Sequence, residues 1–575
     1  MTPTNRLRLE TLEPREVPAD LAYALSLTGL PANAVTHVVA DGAGDVYVTG
    51  TFSSKIDLDP APNAAFNLTP RGGTDVFVAK YDLDGQFLWA DTLKGLADES
   101  SARIALDGIG NVYVAGTFSG AVDFNPDPNS AATLTAASGG SAFIWKLDPD
   151  GNLVMARMVG GTSAVTGMAV DPAGNVVVGG TFQGSADFNP DPNVDADLVA
   201  ARADGAAFVW KLDPTGALLF ADAVQTSGTM VPAAVAVEAS GYTYLSGTFT
   251  GTADLDPSDA GKAQVAAGSN ATPFVIKLAG DGTYLWSETI RTVTAVSGKT
   301  NAVGGLAIDG IGNVYVAGTF AGVLDFDPGA NTSNLTSASN SVDGFAWKLD
   351  AGGAMLYARR FGGAHDETLT DLSVDQMGNL YTTGTFTGIA DFDPSSAVAN
   401  LGSGAGPADS YLLKLDPTGN LVYTRSLGGG ASTTQATGIL ADNAGNMYVT
   451  GAFSGRADFD PANAVTVMNG GVNGAGFVAK IAPSPLAPKS PNNLPPTNAD
   501  AGGPYVFLEN NGLKVKASAD DPEGKKLVYS WDLNGDGYFG DAIGAKVVLN
   551  PLQMGALALG DGTSVPRTIK VRILD

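Results

Sequence analysis

The stretch GDVYVTGTF at residues 44–52 decides the fold of this chain, because close copies of it recur along the sequence. Residues 110–118 read GNVYVAGTF, and five further copies end at Phe182, Phe249, Phe320, Phe386 and Phe453. Successive copies lie about 67 residues apart, so the 575-residue chain contains seven units of one repeat. Repetition at a fixed period indicates an architecture in which each unit packs against its neighbours.

Each unit carries four strand-like segments, named a to d and illustrated here by the second unit. Segment a covers residues 102–106, segment b 111–118, segment c 142–147 and segment d 152–158. These runs are rich in β-branched and aromatic residues and are separated by turns such as DGIG and DPDG. Such runs, bounded by Asp, Pro and Gly, are typical of β-strands joined by tight turns. The sequence therefore predicts an all-β fold.

Segment b predicts how the units are arranged. In the second unit, Val112, Val114 and Phe118 lie on one face of the strand, and Tyr113 and Ala115 lie on the other. A strand that is apolar on both faces is buried on both faces. Four-stranded sheets stacked face to face around an axis bury strands in this way. The sequence predicts a seven-bladed β-propeller, with an open or differently counted array as the alternative.

The two ends of the array predict how the ring closes. The seventh unit has segments a to c, the last of them at 477–481, but it has no segment d. The stretch LAYALSLTG at 21–29 precedes the first unit and matches segment d of the sixth unit, LVYTRSLGG at 421–429. We expect this N-terminal strand to complete the last blade, because closure hides the strand edges that an open array would expose.

The units resemble the bacterial SBBP-type β-propeller repeat. The resemblance rests on the D-x-x-G-N-V-Y-V-x-G-x-F core, the D-F-D-P element and the F-x-x-K-L-D-P-x-G segment, and it covers residues 20–481. The resemblance implies a propeller, usually on an exported protein, and it implies no defined reaction.

Three further segments flank the repeats. Residues 482–498 contain six prolines, which is typical of a stiff, extended linker. Residues 499–575 resemble a PKD domain, an immunoglobulin-like β-sandwich with Trp531 in its core, on the motifs AGGPY, DPEG and YSWD. This sandwich either lacks an edge strand or continues beyond residue 575. Residues 1–19 resemble the LEPR-type sorting segment of exported bacterial proteins, with a disordered leader as the alternative.

Composition excludes several classes of function. The chain has no cysteine, so disulfides, thiolate zinc sites and cysteine nucleophiles are excluded. Its formal net charge is −27, and a field this negative repels phosphate backbones, so we expect no nucleic-acid partner. No stretch is long and apolar enough to predict a transmembrane helix. The acidic residues comprise 50 Asp and 9 Glu, and Asp is favoured in turns and as an oxygen ligand of calcium.

The strongest candidate metal site lies in the C-terminal region. Asp532, Asn534 and Asp536 place side-chain oxygens at positions 1, 3 and 5 of DLNGDGYFGD, and Gly537 occupies position 6. This is the opening half of a calcium loop, in which alternate oxygens surround the ion and Gly permits the sharp turn. Position 12 holds no carboxylate, so Asp541 at position 10 is the expected fourth ligand. The alternative is an Asp-rich hairpin turn.

Two further elements recur in every unit. The D-x-D/N-P element, such as Asp123 with Asn125, has alternating oxygens that suit calcium, but a motif present in all seven units favours a packing role. A lysine recurs inside segment c, as in Lys146 of the second unit. A catalytic lysine would be unique, so we expect its stem to pack between blades and its ammonium to meet an Asp.

Acid–base catalysis has little support in the sequence. The two histidines are His37, in the first segment a, and His365, which precedes Asp366 and Glu367 between the fifth and sixth units. The latter three residues form a candidate acid–base cluster, with a solvated loop as the alternative. A propeller enzyme would need an acid–base group that breaks the repeat near the axis, and the sequence does not reveal one. We therefore predict no catalytic residue and no enzymatic activity.

The predicted function is a non-catalytic, secreted or cell-surface scaffold. It is expected to bind a surface protein or a polysaccharide, with the PKD-like region as a spacer, as a monomer or as part of a longer chain. The connections b–c and d–a vary between units and share one face, and variable loops on a rigid scaffold commonly bind ligands. The alternatives are a propeller enzyme acting on a polysaccharide or a lactone and a purely structural segment of a larger surface protein.

Overall fold

The structure is a computed structural model. It describes residues 8–9, 20–27, 35–61, 63–258, 263–338, 340–403, 407–429, 432–442, 445–460, 466–482, 497–500, 513–520, 528–533, 542–543, 545–549 and 570–574. Within these ranges every regular element is a β-strand, so the predicted all-β class is confirmed. Among the described residues no helix is long and apolar enough to cross a membrane.

The repeats form antiparallel sheets in which four strands pair side by side, and in places a strand of one unit also pairs with a strand of the next unit. Strands are numbered in chain order, and each sheet is given from its inner to its outer strand. Sheet 1 consists of β3 (Val35–Ala40), β4 (Val46–Phe52), β7 (Asp75–Tyr81) and β8 (Phe87–Thr92), and sheet 2 consists of β9 (Glu99–Leu106), β10 (Val112–Phe118), β13 (Ser141–Leu147) and β14 (Leu153–Met158). Sheet 3 consists of β15 (Ser163–Val170), β16 (Val176–Phe182), β19 (Ala206–Leu212) and β20 (Leu218–Thr226), and sheet 4 consists of β21 (Met230–Val237), β22 (Thr243–Asp254), β23 (Gln264–Leu278) and β24 (Tyr284–Thr289). Sheet 5 consists of β26 (Ala302–Ile308), β27 (Val314–Phe320), β30 (Asp343–Leu349) and β31 (Met355–Gly363), sheet 6 of β32 (Asp371–Val374), β33 (Leu380–Phe386), β36 (Asp409–Leu415) and β37 (Leu421–Leu427), and sheet 7 of β38 (Thr433–Ala441), β39 (Met447–Asp458), β40 (Val467–Ala482) and β2 (Asp20–Leu27).

The sheets follow one another around an axis. The inner strand of each sheet contacts the inner strand of the next, and β38 of sheet 7 contacts β3 of sheet 1. Each second strand is buried along nearly all its length, as segment b predicted; β27, for example, is buried at all seven positions. Sheets packed face to face around an axis make this chain a β-propeller repeat protein.

The N-terminal strand β2 is the outer strand of sheet 7. It pairs antiparallel with β40, with Leu25 opposite Val478 and Leu27 opposite Gly476. Leu27 is fully buried and Leu25 is 9% exposed. The first and last parts of the repeat array therefore share one sheet.

Short strands lie between the second and third strands of several sheets. They form arms in which the first strand ends at the first Asp of the D-x-D/N-P element. In sheets 4 and 7 the long strands β22, β23, β39 and β40 include the arm themselves. The separate arm strands are β5 (Ile56–Asp57) with β6 (Asn67–Leu68), β11 (Ala121–Asp123) with β12 (Thr133–Thr135), β17 (Ser185–Asp187) with β18 (Asp197–Val199), β28 (Val323–Asp325) with β29 (Asn334–Thr336) and β25 (Arg291–Thr294), and β34 (Ile389–Asp391) with β35 (Asn400–Gly402).

The C-terminal region contains three small groups of strands. They are β41 (Thr497–Asp500) with β43 (Ser518–Asp520), β42 (Leu513–Lys516) with β46 (Lys546–Leu549), and the sheet β1 (Arg8–Leu9), β47 (Lys570–Leu574), β44 (Val528–Asp532), β45 (Ala542–Ile543). Trp531 is fully buried, as expected for a core residue. Arg8–Leu9, predicted to belong to a leader, pairs in parallel with Lys570–Val571. Most of the predicted linker lies outside the described residues, and the PKD domain stays a prediction.

Candidate functional site

The face that carries the a–b and c–d turns is held by repeated hydrogen bonds. In the second unit, Asp107 Oδ1 accepts the backbone N–H groups of Ile109 and Asn111. Its Oδ2 accepts bonds from the Asn111 amide and the Tyr113 hydroxyl. Asp therefore acts here as a turn residue that satisfies neighbouring donors, and this face is a structural one.

The recurring lysine joins one sheet to the next, as the structural interpretation predicted. Lys146 lies 3.7 Å from Asp107 and donates to the carbonyl oxygen of Pro214 in sheet 3. Lys480 of sheet 7 donates to the carbonyl oxygen of Leu83 in sheet 1 at 3.2 Å. The same ammonium groups lie over tyrosine rings of segment b, 4.7 Å from the ring centroid for Lys146. These contacts compensate for burial of the charge.

The D-x-D/N-P elements have a structural role in the described part of the chain. In each of the seven units, Oδ1 of the first Asp accepts one N–H two residues ahead and a second N–H eight or nine residues ahead. Asp123, for example, accepts from Asn125 at 3.0 Å and Ala132 at 2.9 Å. No group of three or more potential metal ligands occurs among the described residues. The N–H bonds that each of these Asp residues accepts within its own arm favour the packing interpretation of the element.

One position of the inner strands breaks the repeat. In every sheet, one inner-strand residue pairs with the fourth residue of the second strand, and we call this the axial position. Four sheets have a small residue there and three have a polar one. In sheet order the residues are His37, Arg103, Gly167, Ala234, Gly305, Asp371 and Gly438.

These three polar residues are named here the axial cluster. Arg103 and Asp371 meet although they come from different sheets, and the charge of Arg103 also acts on His37. Arg103 Nη2 lies 3.8 Å from Asp371 Oδ1. Sheets 2 and 6 are not neighbours in the ring, so this ion pair crosses its interior. Asp371 Oδ2 also accepts the N–H of Ile439 at 3.0 Å. Neither ring nitrogen of His37 has a hydrogen-bond partner among the described residues.

Burial sets the charge of the axial cluster. Burial and the nearby Arg103 charge hold the pKa of His37 well below its usual value of 6.5, so its imidazole is neutral at pH 7. Burial raises the pKa of Asp371, while Arg103 and the Ile439 N–H oppose that rise. The cluster thus combines an arginine, a carboxyl group and a neutral imidazole, a set that can bind a polar ligand or transfer protons.

This cluster was not predicted, because its three residues lie far apart in the sequence. The sequence does contain a signal for the cluster. When the seven a segments are aligned so that equivalent residues face the same position of segment b, three units have a large polar residue where the other four have Gly or Ala. The sequence therefore does contain polar groups that break the repeat near the axis, although none was predicted. Ring closure brings together residues that are far apart in the chain.

Two buried carboxyl pairs also break the repeat, at the junctions of sheets 1 and 2 and of sheets 5 and 6. Asp75 and Glu99 are 1% and 2% exposed. They contact each other, and apart from that contact the Glu99 oxygens have no hydrogen-bond partner in the described structure. Asp343 and Glu367 form the second pair, and there the Arg360 guanidinium binds Asp343. Burial raises the pKa of both Glu99 and Glu367.

The structure describes only some of the site residues that were predicted from the sequence. Asn534, Asp536 and Asp541 lie outside the described residues, and Asp532 is described only as the last residue of β44. The calcium site therefore stays a prediction. His365 and Asp366 are exposed, Asp366 forms an ion pair with Lys299, and Glu367 is buried beside Asp343. These neighbours in sequence do not form one acid–base cluster.

Comparison with known proteins gives distant matches. No protein-family model matches the chain. An uncharacterized WD repeat-containing protein of Acanthamoeba polyphaga mimivirus is 22% identical over 446 residues, which is 65% of this chain and 32% of that protein. The regulatory protein FlaEY of Caulobacter vibrioides is 26% identical over 391 residues, 62% of this chain and 37% of that protein. The chain spans about a third of the length of these relatives.

Solved structures align over most of the chain at low similarity. A streptogramin B lyase and the WD40 domain of Neurospora crassa Pan2 each cover 80% of this chain and 97% of their own, at a TM-score of 0.37 and 8% identity. A Synechocystis apocarotenoid oxygenase mutant covers 82% of this chain and 96% of its own, at 0.33 and 12%. Two of these three proteins are enzymes, so the prediction of no enzymatic activity is wrong as a conclusion drawn from the propeller repeats; the likeness is one of fold alone and assigns no activity to this chain.

Proposed function

We propose that the chain is a secreted or cell-surface propeller scaffold that binds a partner protein or a polysaccharide. The axial cluster carries this proposal. Seven units that are otherwise near copies differ at one equivalent position by a His, an Arg and an Asp. Packing alone does not explain such residues in a ring interior, because burial of polar groups is costly and both ring nitrogens of His37 have no partner among the described residues.

The proposal includes the finer organisation predicted from the sequence. The ring has seven blades, and β2 completes the last of them; pairing of β2 with β40 and contact of β38 with β3 support this. A PKD-like sandwich at 499–575 acts as a spacer, and the N-terminal segment directs export. The ligand approaches from the face of the b–c and d–a connections, because the opposite face is occupied by the turn hydrogen bonds.

A binding screen with matched variants tests the scaffold function. The chain is presented to a polysaccharide array and to bacterial surface proteins, and we expect saturable binding to one of these classes. Leu96, on the b–c and d–a face, is 79% exposed, and Ile109, on the turn face, is 80% exposed. Leu96→Ser is expected to weaken binding at least threefold, whereas Ile109→Ser leaves it unchanged. Equal effects of both variants, or no binding to either class, would contradict the proposal.

The axial cluster also favours a second candidate function, a propeller enzyme acting on a polysaccharide or a lactone. A neutral imidazole next to an arginine can accept a proton while the guanidinium stabilises a developing negative charge. Turnover is measured on polysaccharide and lactone panels. Loss of turnover in His37→Ala, with an unchanged melting temperature, is expected of an enzyme, and turnover that survives this change excludes His37 as the base.

We also propose that calcium binds through Asp532, Asn534, Asp536 and Asp541. Bound calcium would stabilise the folded C-terminal region by mass action. Thermal melts are compared in calcium and in chelator, for the chain and for an Asp532→Ala/Asp536→Ala variant. We expect calcium to raise the melting temperature of the C-terminal transition by several degrees in the unchanged chain only. A transition that is insensitive to calcium would refute the site.

A further inference from the structure

The axial cluster has hydrogen-bonding capacity that the protein does not use. The guanidinium of Arg103 makes one polar contact within the described residues, the 3.8 Å ion pair with Asp371, which is longer than a hydrogen bond. Both ring nitrogens of His37 are buried and without partners there. Buried donors and acceptors left unsatisfied cost free energy, so this arrangement is the kind that a bound polar group stabilises.

Several nearby hydroxyls are satisfied, but the buried hydroxyl of Thr450, which lies against the same glycine, Gly438, as His37, also has no partner among the described residues. The hydroxyl of Thr437 donates to the carbonyl oxygen of Val35 at 2.7 Å, and that of Thr370 donates to Ala436 at 2.9 Å. Thr36 donates to Thr49. Asp371 accepts the Ile439 N–H through Oδ2, and its Oδ1 is the oxygen that faces Arg103. The cluster therefore presents a fixed acceptor, a guanidinium and an imidazole.

We propose that the axial cluster is a subsite for an uncharged group with adjacent hydroxyls, such as the terminal sugar of a polysaccharide. Each hydroxyl both donates and accepts a hydrogen bond. One hydroxyl can accept from Arg103 and donate to Asp371, and its neighbour can pair with the imidazole of His37. This inference rests on the polysaccharide branch of the proposed function.

Charge favours a neutral ligand over an ionic one. The Arg103 and Asp371 charges balance each other, so an anion at Arg103 would face the Asp371 carboxylate, and a cation at Asp371 would face the guanidinium. The net charge of −27 further disfavours small anions. An uncharged polyol uses both charged partners without displacing either one.

Histidine NMR gives a direct test, because the chain has only two histidines. His37 reports on the cluster, and His365, in an exposed loop, is an internal reference. The full chain is labelled at histidine and titrated with glucose, galactose, mannose, xylose and sorbitol, and separately with acetate and methylammonium. We expect at least one polyol to shift the His37 signal saturably while the His365 signal stays fixed. Arg103→Met and Asp371→Asn are each expected to weaken that binding at least tenfold, and Arg157→Met, which removes a guanidinium bound to the turn of sheet 3, is not.

The outcomes separate this inference from the scaffold function. The inference would be overturned if no polyol shifted the His37 signal up to 0.1 M, about 100 times a millimolar dissociation constant. A shift caused by acetate or methylammonium alone would also overturn it. Polysaccharide binding that is equal in the unchanged chain and in Arg103→Met would overturn the subsite but leave the scaffold function intact. A His37 shift without retention of any polymer or protein would support the subsite and refute the scaffold function. Even if a variant fails to fold, the titration of the unchanged chain alone tests whether the axial cluster binds a polyol.

Discussion

A chain that begins at residue 28, and so lacks β2, is expected to lose about 5 kcal/mol or more of stability and to self-associate. Leu27 is fully buried and Leu25 nearly so, and removal of a buried leucine side chain costs about 2–5 kcal/mol. Deletion also exposes the edge of β40 that pairs with residues 20–27, and a free strand edge promotes pairing with other chains. Denaturant melts and size-exclusion chromatography measure both effects.

A shorter deletion is the control for this prediction. Removal of residues 2–19 leaves β2 in place, so the transition of the sheets formed by residues 35–482 is expected to keep its midpoint. The point variant Leu27→Ala should lower the free energy of unfolding by about 3 kcal/mol, and the exposed Ala22→Ser should change it by less than about 0.5 kcal/mol. If the chain without β2 were as stable as the control, β2 would not close the ring.

Glu99→Gln is expected to make the protein more stable than the unchanged chain at pH 9 and no more stable at pH 5. Glu99 is buried against Asp75, and burial raises its pKa above the usual 4.5. The folded state therefore keeps a proton that the unfolded state releases. That stabilisation is complete below about pH 4.5, falls by about 1.4 kcal/mol per pH unit as pH rises, and is lost once the folded carboxyl ionises.

The variant keeps an uncharged side chain of similar size, so it removes this dependence. At pH 9 we expect Glu99→Gln to be more stable than the unchanged chain by about 4 kcal/mol, which is about 1.4 kcal/mol for each of the roughly three pH units between pH 5 and the folded pKa of about 8. Urea melts between pH 4 and pH 9 measure this difference. Asp150→Asn is the control, since it removes an exposed negative charge. Glu367→Gln should behave as Glu99→Gln does, because burial raises the pKa of Glu367 to about 8. Parallel pH profiles for Glu99→Gln and Asp150→Asn would show that Glu99 carries no buried proton.

The repeats made most of the ring predictable. Segment b and its turns have the same local pattern in every unit. Both faces of the strand are apolar, Asp occupies the first turn position, and a Gly in the turn has a positive φ, as at Gly110 (φ 85°). The match between 21–29 and segment d also predicted which strand pairs with β40. Such features are readable because each depends on residues close in sequence, repeated often enough to be recognised.

The site was less predictable, and the errors have one cause. His365, Asp366 and Glu367 were grouped because they are adjacent, yet their side chains serve different partners. His37, Arg103 and Asp371 were not grouped because up to 334 positions separate them. The carboxyl pair of Asp75 with Glu99 was likewise hidden, although both residues begin a strand at the junction of two sheets.

The sequence by itself determined the strands, their turns, the structural roles of the recurring Asp and Lys residues, and the pairing of the first strand with the last sheet. Each of these features follows from local backbone preferences and from burial, and the pattern is recognisable because it occurs in all seven units. Some residues differ from unit to unit, and only the tertiary structure decided which of these residues contact each other. A ring brings equivalent positions of distant units to a common axis and adjacent sheets to common junctions, so Arg103 reaches Asp371, and Asp75 meets Glu99, through geometry that no stretch of sequence contains.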